Sequence, residues 1–311
     1  VDKKKKFCTT WFRSPVFILG IGILAVSSAS LFIRYAQREM PSLVIAAFRL
    51  GLASLLMTPF VLYRHSKEIR AIQRVDWLRI AAAGLLLAIH FASWITSLEY
   101  TSVSSSVVLV TTTPIWVALF SPLILKERSS RMTVIGLAVA IIGGLIVSLA
   151  GDCSITAVGL ACHPASGPAA RNVLLGNALA LTGAVCAGFY LIIGRILRKS
   201  VDLSVYVYCI FACAGAFLVL FVLMAGKSFY PYSWAAYAFC LALAVFPQIV
   251  GHTSLNWALA YLPVGLVAIV LLGEPVGSTI LAAIFLKEIP TVWELTGGII
   301  ILSGIYIASR Q

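Results

Sequence analysis

PVGLVAIVLLGEPVGSTILAAIFL, from Pro263 to Leu286, is 24 residues long and apolar except at its centre, where Glu274 is followed by Pro275. As a helix rising about 1.5 Å per residue, it spans the ~30 Å hydrocarbon core of a bilayer and sets Glu274 near the midplane. A carboxylate facing lipid there costs about 2.5–3.5 kcal/mol or more, so it is expected to face protein or a wet cavity. Pro275 cannot donate to the carbonyl of Leu271, and its ring opens that turn. Irregular backbone at membrane depth is stable only where protein covers it or a cavity meets it, so this stretch marks the expected path of a solute.

The rest of the chain is of the same kind. Of 311 residues, 61% are hydrophobic and 11% charged, and the mean hydropathy is +1.01, which excludes a soluble domain built on one core. Ten apolar runs of spanning length are expected, at 16–33, 43–63, 78–97, 103–125, 132–150, 173–194, 204–225, 234–256, 263–286 and 292–309. The net charge of +12 sits in the short connections, so it reports orientation in a bilayer and not nucleic acid. Counting the termini, and Arg79 at the edge of the third run, alternate connections hold 17 and 5 of the Lys and Arg residues, which puts both termini in the cytoplasm and the 151–172 connection outside. Lys3 to Lys6 and the run after them resemble a secretory signal but are expected to be a retained first span. The seven cysteines show no metal spacing, and neither a metal nor a cofactor is expected. Cys153 and Cys162 share the outer connection, and their spacing leaves open whether they pair.

The chain also repeats itself. Tyr100, Val103, Pro114, Lys126, Glu127, Gly136 and Gly143 recur 161 residues later as Tyr261, Val264, Pro275, Lys287, Glu288, Gly297 and Gly304, without a gap. Each copy carries five spans, an odd number, so the second copy lies upside down relative to the first. Inverted repeats give a transporter two nearly equivalent packings, one open to each side, with the site where the halves meet.

TSVSSSVVLVTTTPIWVALFSPLILKERSS, residues 101–130, with the Gly136 and Gly143-Gly144 helix after it, resembles the EamA-type repeat of the drug/metabolite transporter superfamily. LGEPVGSTILAAIFLKEIPTVWELTGGIIILSG, residues 272–304, resembles its second copy. The resemblance implies an all-α integral membrane protein: ten transmembrane helices in two inverted five-helix repeats around a central cavity. The copies are expected at 16–150 and 173–309, with the cavity lined mainly by the first, third, fourth, sixth, eighth and ninth spans. PQIVGHTSLNWAL, residues 247–259, and the overall length are similar to the metabolite exporters of this superfamily, including the YddG type that exports aromatic amino acids. Other members carry nucleotide sugars, organic phosphates or drugs.

Several residues are candidates for the cavity wall. Gln248, His252 and Asn256 recur at intervals of four, on one face of an apolar helix, offering hydrogen bonds either to a solute or to a neighbouring helix. His90 and Trp94 stand four apart in the third span. Trp94, Trp116 and Trp257 can stack on an aromatic cargo or anchor span ends. Thr113 precedes Pro114, the twin of Pro275, and the two prolines are the expected hinges. Tyr190 of the sixth span can reach the same space. Glu274 can pair with an amine, exchange a proton or hold the kink at Pro275. Gly226-Lys227-Ser228 mimics the end of a phosphate loop, but position 221 is Phe where that motif needs Gly. Arg49 is expected to snorkel from the second span to the outer interface, and Gly136, Ala140 and Gly144 to form a close-packing stripe. The sequence thus reads as a secondary transporter of the bacterial inner membrane, a monomer or homodimer in the lipid bilayer. It would export small amphipathic molecules, amino acids above all. An intramembrane enzyme or a channel is the distant alternative, because no nucleophile-base pair of recognisable spacing is present and two inverted halves favour rocking over a fixed pore.

Overall fold

The structure is a computed structural model that describes residues 15–100, 106, 109–127, 130–156, 159–162, 172–285 and 292–310. The N-terminal lysines and the Lys287-Glu288 half of the repeat lie outside the described residues. Nearly everything described is helix: α1 (Pro15–Ser27), α2 (Ala29–Ala36), α3 (Ser42–Ala71), α4 (Arg74–Ser97), α5 (Thr113–Ile124), α6 (Arg131–Asp152), α7 (Val173–Leu197) and α8 (Leu203–Met224). After these come α9 (Trp234–Leu243), a π-helical stretch (Ala244–His252), α10 (Thr253–Ala258), α11 (Val264–Val270), a 3₁₀ turn (Leu271–Gly273), α12 (Glu274–Phe285) and α13 (Val292–Ser309).

Six of the resulting segments are long and apolar enough to cross a membrane, and four more apolar helices are shorter. The protein is a multi-pass membrane protein. Its large exposed side chains fit that setting: Leu55, Leu119, Leu174 and Leu223 face outward from helices, while Tyr230 and Trp234 stand exposed near helix ends.

Local sequence sets the breaks. Asn172, Asp202 and Ser233 cap α7, α8 and α9 by accepting from the backbone N–H of Leu175, Ser204 and Ala236. The first apolar run bends at Ser28, where the hydroxyls of Ser27 and Ser28 donate back to the carbonyls of Ile23 and Ala25. The second run outlasts its apolar residues: the helix continues to Ala71 because the charged tail after Tyr63 is still made of helix formers, with a kink at His65. The 151–172 connection is not plain loop. Strands β1 (Cys153–Thr156) and β2 (Gly159–Cys162) form an antiparallel hairpin that sets Cys153 opposite Cys162.

Helices meet through small residues, as expected where lipid and protein interior are equally apolar. A Cβ on Gly136 would come within 2.5 Å of the Gly304 carbonyl oxygen, and one on Gly143 within 2.7 Å of that of Gly297. These are the repeat glycines, so α6 and α13 cross backbone to backbone and each glycine meets the twin of the other. The stripe on α6 is therefore an internal face made by Gly136, Ala140 and Gly143, whereas Gly144 has nothing within 4 Å of a Cβ. The same offset appears where Gly22 abuts Ser254 and Gly183 abuts Ser93.

Candidate functional site

The two proline breaks meet the same cavity. Around Pro275 the helix stops at Val270, tightens into the 3₁₀ turn and restarts at Glu274; around Pro114 a turn at Thr111 and Thr112 precedes α5. Between them lies a cavity with about 730 Å³ of atom-free space, a figure that includes the solvent at its open mouth. His90, Trp94, Thr113, Pro114, Tyr190, His252, Asn256 and Glu274 all line it, together with Arg49 and Phe91.

Each wall has an identifiable support. The Nδ1 of His90 lies 2.9 Å from the carbonyl oxygen of Gly183. A carbonyl only accepts, so Nδ1 carries a proton and the neutral ring leaves Nε2 as an acceptor. His90 stacks on Trp94 with centroids 6.0 Å apart. Tyr190 donates its hydroxyl proton to Asn256 Oδ1 at 2.7 Å, while the buried Nδ2 of Asn256 has no partner. Thr113 donates to the carbonyl of Val110, loosened by Pro114, with Ala184 as a second acceptor at 3.3 Å. At Glu274 the Ser27 hydroxyl holds the backbone carbonyl, so the carboxylate remains for the cavity.

Three expected residues stand elsewhere. Trp116 packs against the gap left by Gly188 of α7, and Trp257 lies against Tyr261 at 4.7 Å between centroids. Gln248 is fully buried behind the wall. There its Oε1 accepts from the Nε of Arg49, so the side chain serves a neighbouring helix, the alternative that its spacing had left open.

Arg49 overturns its expectation. It does not reach an interface: only 1% of it is exposed, and it points into the cavity from the second apolar run, which was not expected to contribute. Its Nε donates to Gln248 Oε1 at 2.8 Å, and its guanidinium carbon sits 4.1 Å from the centroid of the Phe91 ring. Those two contacts make burial tolerable where snorkelling was expected. Phe91 in turn holds His252 edge-on at 5.3 Å.

Two arginines at the C-terminal end of α7 tie it to α10 and the turn after it. Arg195 donates to Glu127 Oε1 at 3.0 Å and to the carbonyl of Leu259 at 2.7 Å, and Arg198 donates to the carbonyl of Asn256 at 3.2 Å. Among the described residues, His65, Glu68 and Asp202 bring donor atoms within 4.8 Å of one another, the two carboxylates being exposed; none of the three lines the cavity.

A family model described as the EamA-like transporter family matches the chain twice, over residues 13–149 and 174–310. The chain belongs to the EamA-like transporter family. An uncharacterized transporter of Archaeoglobus fulgidus is 24% identical to it over 94% of this chain and 96% of its own length. Solute carrier family 35 member G1 of Mus musculus is 24% identical over 92% and 76%. One solved crystal structure superposes on this EamA-like transporter with a TM-score of 0.76 at 18% identity, covering 96% of both chains, which speaks for the fold alone. Membership makes the protein a transporter that works in a lipid bilayer on a small-molecule substrate.

Proposed function

We propose that this transporter exports amino acids, aromatic ones included, from the bacterial cytoplasm by alternating access. In this reading ten spans form two inverted five-helix repeats, at 16–150 and 173–309, with both termini in the cytoplasm. The carrying observation is that one cavity takes its walls from both copies and meets both proline breaks. A broken helix gives a hinge, and two hinges at one cavity let each half rock about a bound solute. Cargo stabilises the intermediate closed form, and near equality of the two open forms permits turnover. His90, Trp94 and Phe91 offer flat apolar surface to an aromatic side chain.

A second reading, an organic phosphate or nucleotide sugar as cargo, draws on Arg49 in the cavity. It is weaker because Glu274 faces the same space and would repel a multiply charged anion. Counterflow of labelled phenylalanine, threonine and glucose 6-phosphate in proteoliposomes separates the two. Exchange of amino acids and not of the phosphate ester is expected, and the converse would replace this function with the second.

A further inference from the structure

Arg49 and Glu274 line the same cavity and are close enough for their charges to interact, yet the ion pairs among the described residues do not join them. A buried arginine beside a carboxylate ordinarily closes into a bidentate pair, which balances the loss of hydration on both sides. Here the pair is held open. Gln248 takes Nε and Phe91 supports the guanidinium face, while the buried Nη1 has no partner. Across the space the Glu274 carboxylate makes no hydrogen bond among the described residues, because Ser27 engages only its backbone. Asn256 adds one more buried, unpartnered donor, its Nδ2, to the same wall.

We propose that the open pair is the recognition element for a zwitterion: Arg49 receives the carboxylate of the cargo, Glu274 its ammonium group, and His90 and Trp94 flank its side chain. A zwitterion fills both vacancies at once and restores the balance that a direct ion pair would have given. A cargo with the carboxylate alone leaves Glu274 unanswered, and one with the amine alone leaves Arg49 so. The site therefore rejects net charge of either sign through groups it would leave buried and unpaired. This inference rests on the amino-acid reading above and assigns the residues that set its chemical class.

The test is binding of three compounds of one shape to the detergent-purified full chain by scintillation proximity, with labelled phenylalanine displaced by 3-phenylpropanoate or 2-phenylethylamine. Phenylalanine is expected to bind at least about 100-fold tighter than either single-charge analogue. Arg49→Gln should bring phenylalanine down to the level of 2-phenylethylamine, and Glu274→Gln should bring it down to that of 3-phenylpropanoate. Should Arg49→Gln not fold, the wild-type comparison still decides, and Arg49→Lys keeps the charge without the fork. Analogues that displace phenylalanine as well as phenylalanine itself overturn the charge pair and leave amino-acid transport standing. A folded protein that neither binds nor exchanges any amino acid overturns both.

Discussion

Gln37 and Arg198 stand 161 positions apart and make the same hydrogen bond: each donates to the carbonyl of the residue 58 positions on, Ile95 at 3.1 Å and Asn256 at 3.2 Å. The side chains differ in charge and length, so chemistry has drifted while the acceptor has stayed. With the reciprocal glycine contacts, this bond relates the two halves at the level of single atoms. The halves are not equal, however, because the Arg198 end is reinforced by the Arg195–Glu127 pair.

Arg195→Gln and Glu127→Gln should each lower the unfolding midpoint in detergent, and the double variant should lose little more than either single one. The pair is half-buried and hydrogen-bonded, so a coupling energy of about 0.5–3 kcal/mol is expected. Additive losses would show that Arg195 acts through the Leu259 carbonyl alone.

Gly143→Ala should destabilise by about 1–3 kcal/mol, since its methyl would lie 2.7 Å from the backbone of α13, which cannot yield without moving the helix. Gly144→Ala, with open space around it, should be neutral or gain up to about 1 kcal/mol from helix propensity. Thermal unfolding of the two variants side by side checks this, and equal effects would contradict the packing.

Glu39 lies between α2 and α3, where hydrogen bonds from Ser233, its hydroxyl first and then its backbone N–H, hold the carboxyl below the usual carboxylate range. A carboxyl with a lowered folded pKa adds its full stability above the ordinary range, and the gain is lost as the pH falls through the folded value. Wild type should therefore unfold at a higher temperature than Glu39→Gln at about pH 7, with the gap closing toward about pH 3. A gap independent of pH would assign the effect to something other than ionisation.

The hairpin sets Cys153 and Cys162 directly opposite each other, and opposed residues of an antiparallel pair have Cα atoms about 4.5–5.5 Å apart, within disulfide range. Mass spectrometry of protein purified without reductant from an oxidising compartment should find the two joined. Two free thiols in that sample would contradict the expectation.

The break at Glu274-Pro275 was legible because an acid and a proline inside an apolar run leave few alternatives. The twin positions were legible because seven identities share one offset. Arg49 was not. A cation six residues into a span can rise to an interface or turn inward, and what decides between them is Phe91 and Gln248, the latter 199 positions away. Gln248 shares that reason: an interval of four on one helix carries no sign of the guanidinium, 199 positions away, that claims its side chain. The hairpin escaped notice because four-residue strands carry too little alternation to stand out from loop.

If Arg49 receives the carboxylate of a zwitterion as proposed, its bond to Gln248 separates the residue that meets the solute from a neighbour able to offset its charge. Glutamate in place of Gln248 would neutralise the guanidinium from behind and leave Glu274 as the sole uncompensated pole, turning a selector of neutral dipolar molecules into one for cations. Under that proposal, a single codon change behind the cavity wall would redefine which solutes the protein expels.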